Sequence, residues 1–126
     1  MIHLKSSRIR VFFDVGELGK AIGELRSFLA PRTIRTIQNS LPLEGRASLG
    51  KEMIYFEIPI KTGLEKAKKH VTRGTIAYWP LANAICVFHS EINTYSPVNI
   101  IGFITDNIDV FERIISGMII KMDLDR

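Results

Sequence analysis

Three aromatic residues, Tyr55, Trp79 and Phe88, lie on or beside apolar runs, and they are the side chains best suited to wall a ligand pocket. Tyr and Trp join a large apolar face to one polar donor, so they recur in concave sites. Trp79 is the only tryptophan and sits in Gly74-Thr75-Ile76-Ala77-Tyr78-Trp79-Pro80, which leads into Asn83-Ala84-Ile85-Cys86-Val87-Phe88. Arg46 stands in a glycine-containing stretch shortly before Tyr55. Its guanidinium suits a carboxylate or a peptide carbonyl, because it donates a rigid fork of hydrogen bonds. The competing role for Arg46 is a surface pair with Glu44 or Glu52, and for the aromatics it is filling the interior. His89 follows an apolar run and is expected near the pocket mouth. The expected ligand-binding set is therefore Arg46, Tyr55, Trp79, Phe88 and His89, with no residue in a catalytic role.

Other chemistries find little support. His3, His70 and His89 lie far apart, and Cys86 is the only cysteine, so no metal site is expected. Cys86 alternates with Ala84 and Phe88, the pattern of a buried, inert thiol. No phosphate-binding loop, dinucleotide fingerprint or nucleophile elbow is present, so no cofactor is expected. Ser40, Ser90 and Ser96 have no activating neighbours in sequence. Asp14, Glu17 and Glu24 fit ordinary charges on a hairpin and a strand face, and spacing alone pairs no two carboxylates as acid and base.

With 126 residues, 46% hydrophobic and 24% charged, the chain is expected to form one domain over 1–126. Its apolar runs are a few residues long, against roughly 20 for a membrane-crossing helix. The first residues turn polar too soon for a secretory signal. A lone cysteine suits a reducing compartment, so a cytoplasmic location is expected. The net charge of +4 is concentrated in segment 61–73, where Lys61, Lys66, Lys68, Lys69 and Arg73 face Glu65 alone. That patch holds no aromatic residue to stack on a base and reads as a solvated face, so nucleic acid is not the expected partner. A peptide or small molecule is, and an exposed apolar patch would allow self-association.

The elements follow from periodicity. Ile9, Val11 and Phe13 alternate with polar neighbours as a half-buried strand. Gly16 and Gly19 mark a turn into a second strand over 20–28. Pro31 suits the first turn of a helix, Ile34, Ile37 and Leu41 recur at helical spacing, and Pro42 ends it. Segment 45–50 reads as loop. Strands are expected over 53–60, 75–79, 84–89, 98–105 and 118–124. Asp106 is placed to cap a short helix with Ile108, Phe111 and Ile115 inward, ended by Gly117. Many short strands with two short helices predict an antiparallel barrel or sandwich.

These elements together resemble a cyclophilin. Val11-Phe12-Phe13-Asp14-Val15, followed by Leu18-Gly19-Lys20-Ala21-Ile22-Gly23-Glu24-Leu25, is similar to its first hairpin. Ala30-Pro31-Arg32-Thr33 is similar to the start of its first helix. Ile101-Gly102-Phe103-Ile104, through Val110, Ile114 and Gly117, resembles its last strand–helix–strand segment. Ser40-Leu41-Pro42-Leu43-Glu44-Gly45-Arg46-Ala47, Ile54-Tyr55-Phe56-Glu57-Ile58-Pro59, Ala77-Tyr78-Trp79-Pro80 and Ser96-Pro97-Val98-Asn99-Ile100-Ile101-Gly102 resemble a small prokaryotic, largely archaeal, cyclophilin-like family without an assigned activity. The resemblance spans nearly the whole chain and implies a mainly β fold: a closed eight-stranded antiparallel barrel capped by two short helices.

Active cyclophilins carry a histidine–arginine–two aliphatics–proline pattern, whose arginine stabilises the twisted prolyl bond. The uncatalysed barrier is about 18–20 kcal/mol, so a fixed cation is central to that chemistry. Aligned on Pro59, the arginine position is Phe56, and a one-residue slip gives Glu57. Phe56 also alternates with Ile54 and Ile58, which assigns it to the interior. The family's downstream glutamine and methionine–alanine–asparagine signature have no counterpart beyond Asn83. The resemblance thus implies a peptide- or small-ligand-binding module lacking the usual isomerase arginine. The alternative is a divergent peptidyl-prolyl cis-trans isomerase in which Arg46 supplies the cation.

Overall fold

The computed structural model describes residues 7–126. His3 lies outside them. Among the described residues there are ten strands and two α-helices, in the order β1 (Arg8–Asp14), β2 (Lys20–Arg26), α1 (Pro31–Ser40), β3 (Leu43–Arg46), β4 (Ser48–Gly50), β5 (Met53–Glu57), β6 (Lys68–Val71), β7 (Thr75–Trp79), β8 (Ala84–Phe88), β9 (Ile92–Asp106), α2 (Asp109–Glu112) and β10 (Ile119–Leu124).

All strand pairs are antiparallel. The hydrogen-bonded order is β3-β10-β1-β2-β9-β7-β8-β5-β4, with β6 attached to β9 off this path. The two ends of that order, β3 and β4, are consecutive in the chain and separated only by Ala47. One stretch of backbone therefore pairs first with β10 and then with β5, which joins the sheet's edges into a barrel. With β3 and β4 counted as one and β6 set aside, eight strands circulate. Gly45 makes the closure tight: a Cβ there would fall 2.9 Å from the Glu57 carbonyl oxygen and 3.2 Å from Phe56 Cβ. The glycine that reads as a loop marker in sequence is thus a close-packing residue in a strand.

Both faces of the β5–β8–β7 region are buried, so its strands are nearly continuous apolar runs. Alternation divides them. Ile54, Phe56, Ile76, Tyr78, Ile85 and Val87 enter the main core with Val11, Phe13 and Met122. Ala77, Cys86 and Phe88 point the other way, into a second cluster with Val71 and Val98, against which Met53, Tyr55, Trp79 and Ile92 pack. The second cluster exists because β6 and the first part of β9 fold back over the sheet.

α1 presents Ile34 and Ile37 to the core. Its first amides are capped from a distance: Glu65 accepts from the Arg32 amide (3.0 Å) and from the Thr33 amide and hydroxyl (both 2.8 Å). Asn99, fully buried, holds that capping loop in place. It accepts from the Glu65 amide (2.8 Å) and donates to the Gly63 carbonyl (2.9 Å) and the Thr33 hydroxyl (3.1 Å). Partial burial pushes the Glu65 pKa up, but the Arg32 and Thr33 amides, the Thr33 hydroxyl and the Arg32 charge outweigh it. The carboxyl therefore sits below its ordinary value. At the α2 end, Phe111 meets Phe13 edge-to-face at 5.5 Å.

Several boundaries differ from the sequence expectation. Segment 45–50 is mostly strand, not loop. β5 pairing stops at Glu57, although Ile58 and Ile60 remain buried. β9 begins at Ile92 and runs through Pro97 with shifts in register. The basic segment, expected as a solvated loop or short helix, contains the strand β6. Asp106 ends β9 and caps nothing, while α2 is a single turn that leaves Ile115 64% exposed.

Candidate functional site

A hollow of about 350 Å³ opens on the outer face of the barrel, over the second cluster. Its floor is built by register. Met53 of β5 pairs with Phe88 of β8, Tyr55 with Cys86, and Trp79 of β7 with Ala84. Met53, Tyr55, Trp79 and Phe88 consequently share one sheet face. Tyr55 and Trp79 meet edge-to-face, with centroids 5.3 Å apart and planes at 80°. The opposite wall is the first part of β9, residues 92–96 with Val98, and Gly50 and Lys51 close one end. The Trp79 indole Nε1–H donates to the Ser96 hydroxyl at 2.8 Å, tying floor to wall. The Thr94 hydroxyl donates to the Ser96 carbonyl at 2.7 Å and lies 3.1 Å from that of Lys69, which holds the wall against β6.

The hollow is walled by three of the five residues expected to bind ligand: Tyr55, Trp79 and Phe88. Phe88 is almost wholly buried, so it gives the floor its shape, while Tyr55 and Trp79 are half-buried. Arg46 lines a neighbouring, more open cleft of about 760 Å³ with Ser48, Glu57, Pro59 and Ala82, and Tyr55 borders both. The Arg46 Nη1 donates to the Gly117 carbonyl at 3.1 Å, not to Glu44 or Glu52. His89 is outside both hollows. Its carbonyl accepts from Arg73 Nη1 at 2.6 Å. Arg73 also binds Asp109 (2.9 Å) and Glu112 (3.2 Å). Hydrogen bonding to Arg73, working against a smaller desolvation effect, holds the Glu112 carboxyl below its usual range.

Cys86 is fully buried under the hollow, and burial pushes its thiol pKa far up, so it is not a nucleophile at neutral pH. Phe56, at the expected isomerase-arginine position, is fully buried in the main core. Among the described residues no cluster of His, Cys, Asp and Glu is arranged to hold a metal, and no helix is long and apolar enough to cross a membrane. The basic segment is partly spent on structure: Glu65 caps α1, Lys66 donates to the Phe28 carbonyl at 2.9 Å, His70 lies 2.8 Å from Glu91, and Arg73 holds α2.

Sequence reading missed Met53, Lys51 and the β9 wall. Met53 was legible, since it shares alternation with Tyr55. The wall was obscured by Ser96-Pro97, which reads as a break.

An antiparallel barrel with an apolar hollow on its outer face defines the class of fold, and comparison with known proteins gives it a family. The model of the cyclophilin-like family matches residues 7–123, and the chain belongs to that family. It is similar to the solution structure of the hypothetical protein AF2241 from Archaeoglobus fulgidus, with 25% identity and a TM-score of 0.81 over 98% of this chain and 100% of that one. It is also similar in fold to McbB, whose structure was solved in complex with tryptophan, with 13% identity and a TM-score of 0.75 over 90% of this chain and 44% of that one. No curated protein sequence matches significantly.

Proposed function

We propose that this protein is a binding module that takes a peptide or small ligand into the hollow walled by Tyr55, Trp79 and Phe88, without prolyl isomerase chemistry. The observation that carries this reading is the hollow itself. Its volume falls at the low end of the roughly 300–1,000 Å³ range of ligand sites, and aromatic and aliphatic side chains form most of it around a few polar groups. McbB, 44% of whose length is similar in fold to this chain, was solved in complex with tryptophan, which makes a small aromatic molecule the first probe to try. The burial of Phe56 supports the loss of isomerase activity, because a buried phenyl ring gives a twisting imide neither charge nor hydrogen bond.

The alternative, a divergent isomerase, draws on Arg46 lying in the adjoining cleft beside Pro59. That guanidinium is engaged by the Gly117 carbonyl and lies outside the aromatic hollow. Two assays on folded protein separate the readings. Titration with N-acetyl-phenylalanine amide, followed by the emission of Trp79, tests the hollow. A coupled isomerisation assay on Xaa-Pro peptides tests the chemistry. Binding with an isomerisation rate at background fits the module; a rate well above background that is lost in Arg46→Ala establishes the enzyme.

A further inference from the structure

The aromatic hollow does not stand alone on its face of the barrel. Met53, Tyr55 and Glu57 alternate outward along β5, and Gly50 and Ser48 of β4 pair with the first two. The cleft of about 760 Å³ begins on the far side of Tyr55, which walls both spaces. One face of one strand thus carries an apolar hollow at Met53 and Tyr55 and a polar cleft at Glu57. Tyr55 and Glu57 are two residues apart, about 7 Å along a strand, so one small molecule can reach both spaces.

The cleft holds two opposite charges that do not meet. Arg46 and Glu57 both line it. Their backbones run side by side here, since a Cβ on Gly45 would fall 2.9 Å from the Glu57 carbonyl oxygen. Opposite charges on neighbouring strands attract and commonly pair. Arg46 instead turns to the Gly117 carbonyl at 3.1 Å. Among the described residues neither Arg46 nor Glu57 forms an ion pair. The Gly117 bond engages one nitrogen of the guanidinium and leaves its other N–H groups for a ligand. A donor fork, an unpaired carboxylate and an adjoining apolar hollow complement one compact ligand: a ring joined to a carbon that bears both an ammonium and a carboxylate. Building on the binding reading above, we propose that the ligand is a free aromatic α-amino acid. Its side chain passes over Tyr55 and sets the ring in the hollow beside Trp79, its carboxylate meets Arg46, and its ammonium meets Glu57.

The test follows Trp79 emission in the full chain during titration with four probes that share a phenyl ring. Phenylalanine carries both charges, hydrocinnamate the carboxylate alone, phenethylamine the ammonium alone, and N-acetyl-phenylalanine amide neither. Exposed ion pairs are individually weak, so each charge is expected to tighten binding about threefold over the capped amide, and the two together about tenfold. Added salt should narrow these differences. Arg46→Ala is expected to erase the advantage of hydrocinnamate over the capped amide on the same variant, and Glu57→Gln that of phenethylamine. The probe series on the parent decides the matter even where a variant fails to fold. If phenylalanine binds no tighter than the capped amide, the amino-acid proposal is overturned while the hollow remains a ligand site. If none of the four probes perturbs Trp79, the binding reading and this proposal both fall.

Discussion

Tyr55 and Trp79, 24 residues apart in sequence, meet edge-to-face at 5.3 Å on the outer face of the barrel. Their neighbourhood follows from register, since β8 lies between β5 and β7 and aligns both residues on one side. The contact makes the rim of the hollow stiff, and a stiff aromatic rim loses little entropy when a ligand enters.

Removing the indole tests this directly. Trp79→Phe keeps a ring over the second cluster but deletes the bond to Ser96, and it should cost about 1 kcal/mol in urea unfolding. Trp79→Ala also removes half-buried apolar surface and should cost about 2 kcal/mol or more. Both variants should bind N-acetyl-phenylalanine amide more weakly than the parent, by calorimetry. An alanine variant with full affinity would remove Trp79 from the site.

Asn99 joins α1, the capping loop and β9 through three hydrogen bonds in a fully buried position. Asn99→Ala leaves the Glu65 amide and the Gly63 carbonyl without this partner. The expected loss is about 3 kcal/mol, read from the shift in denaturation midpoint at unchanged slope. A loss below about 1 kcal/mol would mean that water replaces the side chain without penalty.

Glu65 gives a pH dependence with a definite sign. Its folded pKa is depressed, so its stabilisation is complete above the unfolded value of about 4.3 and fades as pH falls through the lower folded value. Glu112, also depressed, acts in the same direction. The parent should lose stability on acidification below about pH 4.3. Glu65→Gln should be weaker at neutral pH by about 1 kcal/mol and show a shallower acid decline in thermal melts. Parallel declines in the two proteins would show that the cap is not a titrating group of consequence.

Gly102 tests the packing of β2 against β9. A Cβ there would collide with the Glu24 carbonyl oxygen and lie 2.8 Å from Leu25 Cα, both backbone atoms that cannot rotate away. Gly102→Ala should either fail to fold or unfold at a midpoint far below that of the parent in circular dichroism. Near-parental stability would mean that the two strands separate more readily than their pairing indicates.

Much of the barrel was legible because its strands obey simple rules. Val11 and Phe13 alternate inward, Ile34 and Ile37 repeat at helical spacing, and Phe56 falls in step with Ile54. Legibility failed where long-range contacts decide. Gly45 is a strand residue because it must lie against Phe56, and no local pattern encodes that approach. Glu65 caps a helix that begins 34 residues earlier in the chain, so local capping rules miss it. At the site, the aromatic walls could be nominated from residue type. The separation of Arg46 and His89 from them depends on which side of the barrel each strand end reaches, and sequence does not carry that information locally.

The central claim is that the hollow beside Trp79 is where ligand binds. The indole N–H of Trp79, the only tryptophan, gives one resonance in a ¹H–¹⁵N correlation spectrum. On titration with N-acetyl-phenylalanine amide, that resonance is predicted to move saturably, together with amides of residues 92–96 that line the hollow. A static Trp79 resonance at millimolar probe, or shifts gathered around Arg46 and Pro59 instead, would contradict the account.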